Sequence, residues 1–330
     1  MDRKALREFT HKATHFLEPG NENYKQWVFR YTFLELEKDL AFGGDVTTRA
    51  IFPDGKIAKG RVAAGEDGVF GGREEIQYFL VDADSRFRPR IKGKFKLDFF
   101  FEDGKNFKEG DTLFEMEADI HDLLAVERTV LNLVMRMSGV ATFTKKITDR
   151  VKDFDVLVTP TRKTLWGLLD KKAVVLGGGG THRINLGDAI MVKDTHQDLI
   201  DRDFDTVFRK LESAGEDFRF VEIEVSDEKE ALEVAQKADK AIKEKKLRVI
   251  VAILFDNMTP EQIKKTLDEI KEKSLYDGLL FEASGGITEK NVKEFAKTGV
   301  DIISIGSLTT SARSLDIKMK VEKRQSRDRL

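Results

Sequence analysis

The chain has 330 residues, 40% apolar and 35% charged, and its 57 basic and 59 acidic side chains leave a formal net charge of -2. That length predicts two domains, or one barrel with an appendage, and the near-zero charge removes any general attraction to nucleic acid or anionic membrane, so an anion site must be local. The absence of cysteine excludes disulfides, thiolate zinc sites and thiol nucleophiles; a polar start, with no apolar run near the roughly 20 residues of a membrane span, predicts a cytoplasmic protein.

Residues 1–38 read as a helical extension, with Trp27, Val28, Tyr31 and Leu34 at helical spacing. Residues 39–121 form an α+β domain. Within it, from Val62 to Glu117, short apolar runs alternate with turns such as Glu102-Asp103-Gly104 and Glu109-Gly110-Asp111. A linking helix over 122–154 is carried by Val126, Val130, Leu133, Val134 and Met137. Asp122 suits its N-cap, and Ser138-Gly139 suits an interruption.

From 155 to 310 strands alternate with helices. Apolar strands are readable at 156–159, 189–192, 220–225, 249–255, 278–281 and 301–305, and helices at 228–243, 260–273 and 289–298. Repeated βα units predict an α/β architecture: a C-terminal parallel (β/α) barrel, complete or open, behind an N-terminal α+β domain. Chemistry in such barrels sits at the carboxyl ends of the strands. The polar residues fall there: Thr161, Arg162 and Lys163 after the first strand, Lys193 and Asp194 after the second, Glu222 and Glu224 on one face of the third. Asp256-Asn257, Ser284-Gly285-Gly286 and Gly306-Ser307 follow the last three.

Cations and acids that converge on one rim suit a small, highly anionic molecule. The two glycine loops suit phosphate, because backbone N–H groups can approach it closely. Gly177–Gly180 read as a close turn that delivers His182-Arg183. Each feature taken singly has a plainer reading. Arg162 and Lys163 are also what solvated loop charges look like, Glu224 and Asp256 could simply pair with Lys193 and Arg183, and Arg128 suits an ordinary helix surface. Glu224 and Asp256 are the type of pair that holds Mg²⁺, directly or through water, together with substrate phosphates. P-loops, dinucleotide fingerprints and serine-hydrolase elbows are absent.

A family resemblance rests on Gly44-Asp45-Val46-Thr47-Thr48, Glu127-Arg128-Thr129-Val130-Leu131-Asn132, Thr161-Arg162-Lys163-Thr164, His182-Arg183, Lys193-Asp194-Thr195-His196, Glu222-Ile223-Glu224-Val225, Asp256-Asn257-Met258, Ser284-Gly285-Gly286-Ile287 and Ser304-Ile305-Gly306-Ser307-Leu308-Thr309. In order and spacing the chain resembles the quinolinate phosphoribosyltransferase family from about Asp39 to Ile317. The resemblance implies transfer of phosphoribose from phosphoribosyl pyrophosphate to quinolinate with Mg²⁺, release of CO₂ and pyrophosphate, and a place in NAD biosynthesis. It implies that Arg162, His182, Arg183 and Lys193 hold the two quinolinate carboxylates, with Thr161 beside them. Lys163 would reach toward the donor, Glu224 and Asp256 would face ribose and metal, and Ser284, Gly285, Gly286, Gly306 and Ser307 would grip phosphate. It also implies a homodimer or higher oligomer in which Arg128 crosses the interface. Residues 39–121 would cap the substrate and dimerise, and 311–330 would return to that domain. The chain departs from the family at Pro160, at Thr310 and at Leu165-Trp166-Gly167-Leu168-Leu169, where an arginine is lost. A phosphoribosyltransferase of the molybdenum-operon type, or a non-catalytic binder of an anionic metabolite on the same fold, remains the alternative.

Overall fold

The computed structural model describes residues 2–83, 90–215 and 217–322, so the far end of the C-terminal basic segment lies outside the described residues. In chain order the elements are α1 (Arg3–His11), α2 (Glu22–Leu40), α3 (Val46–Ile51), β1 (Ile57–Ala64), β2 (Gly68–Val69), α4 (Arg73–Gln77), β3 (Lys96–Phe99), β4 (Asn106–Phe107), β5 (Thr112–Asp119) and α5 (Ile120–Arg150). Then come β6 (Leu157–Thr159), α6 (Leu168–Leu176), β7 (Ile190–Val192), α7 (Asp194–Asp198), α8 (Phe204–Glu212), β8 (Phe220–Val225), α9 (Glu228–Lys243), β9 (Ile250–Asp256), α10 (Pro260–Glu272), β10 (Leu279–Ser284), α11 (Val292–Ala296), β11 (Ile302–Ser304), α12 (Ser307–Thr310) and β12 (Ile317–Glu322). Among the described residues no helix is long and apolar enough to cross a membrane.

These elements form two compact units. One holds residues 15–145, 166–178 and 311–322; the other holds residues 2–14, 146–165 and 179–310. In the first, β12, β1, β5 and β3 make an antiparallel sheet in that order, and β2 pairs with β4. Leu113, Phe114 and Met116 on β5 are fully buried, and Phe114 packs against Phe70 and Phe99.

The interruption expected at Ser138-Gly139 does not occur, for α5 runs unbroken from Ile120 to Arg150. Glycine is needed at 139 because a β-carbon would collide with the Arg313 carbonyl, so the missing side chain admits a crossing loop instead of breaking the helix. Asp122 lies inside the first turn, where its carboxylate accepts the N–H groups of Lys92 and Gly93. Arg136 of the same helix makes a buried bidentate pair with Asp170 (2.9 and 3.0 Å).

In the second unit all six strands read from the sequence are present, parallel and ordered β6-β11-β10-β9-β8-β7. β6 and β7 do not pair with each other, so the barrel is open. β8, β9 and β10 are buried almost throughout, as expected of parallel strands covered on both faces. Helix α1 lies across the amino ends of these strands. Arg3 forks onto Asp301 just before β11 (2.5 and 2.7 Å), Arg7 onto Asp155 before β6 (2.6 Å), and Arg219 before β8 donates to the carbonyls of Phe9 and Thr10.

Glu75 of α4 is fully buried and accepts the Tyr24 hydroxyl at 2.5 Å. Burial, and after it the charge of Asp103, push its carboxyl up to about 8 from an ordinary 4.5. The folded state therefore holds a proton that the unfolded chain gives up, and stability falls as pH rises from about 4.5 through about 8. Glu75→Gln should match the wild type near pH 5 and exceed it at pH 8.5 by up to a few kcal/mol. Denaturant unfolding at both pH values checks this, and parallel pH curves would refute it.

Candidate active site

The carboxyl ends of the strands open into one cavity of about 560 Å³. Thr161, Arg162 and Lys163 follow β6, and the loop is tied down by the Thr309 hydroxyl donating to the Lys163 carbonyl (2.6 Å). Lys193 follows β7, with its Nζ 3.6 Å from Glu224 Oε1. Glu224 sits at the end of β8, where its Oε2 accepts the Asp194 N–H (3.2 Å). Burial raises the Glu224 carboxyl, and the Asp256 charge adds to the rise, while Lys193 and the Asp194 N–H oppose it. Asp256 ends β9 and accepts from Asn257 Nδ2 (2.8 Å).

Ser284-Gly285-Gly286 follow β10, and Gly306-Ser307 lead from β11 into α12. Gly285 has φ +90, and a β-carbon there would lie 2.8 Å from the Asn257 backbone nitrogen. The helix expected over 289–298 is confined to Val292–Ala296. The turn before it is instead knotted by Asn291, whose side chain accepts the Thr288 N–H (2.7 Å) and donates to the Gly286 carbonyl (3.1 Å). Gly306-Ser307, by contrast, does open directly onto a helical turn.

Every site residue read from the sequence lines this cavity except Arg128. Arg128 belongs to the other unit, on α5, with its side chain more than half exposed and nearest to Glu127. The pairing alternative holds in part, since Lys193 does face Glu224. Arg162 and Arg183 are close enough for repulsion: burial first, and then the Arg162 guanidinium, lower the Arg183 pKa. Two crowded cations beside two acids make a pocket that a polyanion carrying a divalent cation would relieve.

His182 needs a correction. It lines the cavity floor, but its Nε2 points inward at Glu222 and Glu282 (3.2 and 3.3 Å), and its Nδ1 accepts the Arg183 N–H (2.8 Å). With both nitrogens engaged, the ring has none to offer a substrate carboxylate. Asn257, read from the sequence at the rim without a role, lines the cavity wall with Thr288 and Thr310, and sequence reasoning gave no role to Glu282 and His11 beneath it. Position alone marks Asn257 and Glu282, next to acids at strand ends; His11 carries no such mark.

A second cavity, of about 890 Å³, lies in the other unit beside Asp45, Arg49, Lys92, Asp119 and His121. It is larger, and Gly43, Gly44 and Gly93 line it, but it has none of the strand-end cations, and several of its polar groups are satisfied locally, Asp45 by Thr48 and Asp119 by His121. The chemistry belongs to the smaller pocket.

An open parallel barrel with cations, paired acids and two glycine loops at its strand ends defines a class: a barrel enzyme for phosphorylated, polyanionic small molecules. The chain matches the quinolinate phosphoribosyl transferase N-terminal domain over residues 45–138 and the C-terminal domain over residues 140–320. It belongs to that family. A probable nicotinate-nucleotide pyrophosphorylase [carboxylating] of Methanocaldococcus jannaschii is 36% identical over 312 residues, 91% of this chain and 99% of that protein. The nicotinate-nucleotide pyrophosphorylase [carboxylating] of Mycobacterium leprae is 34% identical over 86% of this chain and 93% of its own length. The crystal structure of NadC from Streptococcus pyogenes superposes with a TM-score of 0.74 at 30% identity, covering 89% of this chain and 96% of that one.

Gly285→Ala forces an L side chain to φ +90 against the Asn257 backbone and should cost about 1–3 kcal/mol of stability. Thermal unfolding checks it; a melting temperature equal to wild type would show that the loop relaxes freely.

Proposed function

We propose that this protein is a decarboxylating quinolinate phosphoribosyltransferase of NAD biosynthesis, acting in the cytoplasm. The observation that carries the reading is the convergence of Arg162, Lys163, Arg183, Lys193, Glu224 and Asp256 with two glycine loops around one cavity, in a chain whose relatives bear that activity in their names. Both substrates are polyanions, which accounts for a cationic pocket in a protein with a net charge of only -2.

In this reading Arg162, Arg183 and Lys193 hold the pyridine dicarboxylate, with Thr161 beside it and His182 supporting Arg183 from below. Ser284, Gly285, Gly286, Gly306 and Ser307 take the phosphate of the donor through backbone N–H groups. Lys163 reaches the pyrophosphate. Asp256 is close enough for its charge to raise the Glu224 carboxyl, and the two acids fit a divalent cation held directly or through water. Mg²⁺ bound there together with pyrophosphate would supply neutralisation of the leaving group.

The bond from ribose C1 to the pyrophosphate oxygen breaks, and pyrophosphate keeps the electron pair. The oxocarbenium-like centre left behind is stabilised by the Glu224 and Asp256 carboxylates, and the pyridine nitrogen bonds to C1. The new positive charge on the ring then holds the electron pair left when the adjacent carboxylate departs as CO₂, and that carbon takes a proton to give nicotinate mononucleotide. No side chain acts as nucleophile; the residues position substrates and place charge.

A homodimer, with Arg128 reaching the partner's pocket, is part of this reading. Leu34, Phe42, Val46 and Ile51 are exposed within one short stretch of the amino-terminal unit and suit an interface between copies.

Purified protein given quinolinate, phosphoribosyl pyrophosphate and Mg²⁺ should form nicotinate mononucleotide and pyrophosphate in equal amounts. No product beside an active control enzyme would sink the reading. Arg128→Ala should cut turnover on the order of a hundredfold while binding phosphoribosyl pyrophosphate as the wild type does. If calorimetry finds that binding lost in step with turnover, Arg128 is structural.

A further inference from the structure

Beneath the pocket lies a group of side chains that the proposed reaction does not use. His11, His182, Glu222 and Glu282 are all buried in the barrel interior. Their facing atoms form a closed circuit. His11 Nε2 lies 3.0 Å from Glu282 Oε2 and 3.6 Å from Glu222 Oε1, and His182 Nε2 lies 3.2 Å from Glu222 Oε2 and 3.3 Å from Glu282 Oε1. Each carboxylate thus gives one oxygen to each imidazole. Glu222 and Glu224 point to the same face of β8, as do Glu282 and Ser284 on β10, so the circuit sits about 6–7 Å below the rim.

The protons can be placed from the hydrogen bonds. His182 Nδ1 accepts the Arg183 N–H, so its proton is on Nε2. The Thr10 hydroxyl faces the Leu6 and Arg7 carbonyls and donates there, so His11 Nδ1, 2.8 Å from that oxygen, must donate to it. His11 Nε2 faces only carboxylates. Both nitrogens of His11 therefore carry protons, and its imidazolium supplies the positive charge that two buried carboxylates require. Four His and Glu side chains at this spacing could also embrace a metal ion, but a ligating nitrogen must be unprotonated, which the contact at His182 Nδ1 opposes.

The same helix end is stitched to the segment that carries His182. The Thr181 N–H donates to the His11 carbonyl (2.6 Å) and the Ala13 N–H to the Thr181 hydroxyl (3.1 Å). A β-carbon at Gly180 would strike the His11 carbonyl. His182 itself has φ +51, a conformation that a non-glycine residue keeps only when its surroundings hold it.

We propose that His11 is a positioning residue: the N-terminal helix plugs the amino end of the barrel, and His11 props the His182-Arg183 corner of the pocket floor through Glu222 and Glu282. This rests on the quinolinate reading for its kinetic consequence. Loosening the corner weakens the grip of Arg183 on the acceptor and leaves the donor loops after β10 and β11 untouched.

His11→Leu keeps the bulk and loses both donors, and should raise the KM for quinolinate on the order of tenfold while the KM for phosphoribosyl pyrophosphate stays within twofold. His11→Gln restores a donor without the charge and should fall between Leu and wild type; it decides the matter alone if the Leu variant does not fold. Both KM values unmoved, or both raised by one factor, would overturn the proposal. Nitrogen-15 NMR of the histidine rings tests the circuit independently of turnover. In the wild type near pH 7 both His11 nitrogens, but only Nε2 of His182, should be protonated. An unprotonated Nε2 on either ring, or one equivalent of metal in the purified protein that is lost with His11→Leu, would overturn it. A wild type with the expected NMR pattern but no product would count against the quinolinate reading and not against the circuit.

Discussion

Two carboxylates sealed inside a barrel constrain much of this molecule. Glu222 and Glu282 have no exposed surface, and an ionised carboxylate moved into a low-dielectric interior costs several kcal/mol unless it is paired and hydrogen-bonded. Burial works against the charge on Glu282, yet its carboxyl is held well below the usual range by His182 and His11. One of those imidazoles comes from the glycine-rich segment that lines the pocket, the other from a helix at the far end of the chain. Pairing two glutamates therefore obliges α1 to dock and obliges the 180–183 segment to follow one path.

The barrel interior then has two electrostatic layers. In the deeper one, two carboxylates face the His11 imidazolium and the uncharged His182 ring, so no cation is left over to attract an anion. At the rim, Arg162, Lys163, Arg183 and Lys193 share the cavity with three acids, Asp194, Glu224 and Asp256. The rim is the layer that an anion can complete, and the lower layer gives it a rigid floor. A net charge of -2 over the whole chain conceals this separation, because the surplus of cations is local.

What was legible in the sequence follows from the same layering. The six parallel strands stood out as apolar runs, and the rim residues stood out because polar groups directly after such runs have few structural reasons to be there. Gly139 misled because glycine inside a helical pattern signals either a break or a close approach, and only the packed Arg313 carbonyl distinguishes them. His182 was read as a ligand contact because position along the chain does not reveal where a ring's nitrogens point. The N-terminal helix hid its role most completely. Its buried side chains are Arg7, Thr10 and His11, a polar face that by hydropathy alone belongs to solvent.

The N-terminal segment also has partners of its own further along the chain. Residues 1–44 precede the part that matches the family, and each helix in them covers a distinctive stretch further on. Helix α1 meets Gly180-Thr181. Helix α2 meets Trp166-Gly167: Tyr31 packs on Trp166 with ring centroids 4.4 Å apart. Gly167 has φ +56 and lies so close to the Trp27 ring that any β-carbon would overlap it. The segment 165–169 does not line the pocket. Its tryptophan and glycine are suited to accept a helix, not a substrate.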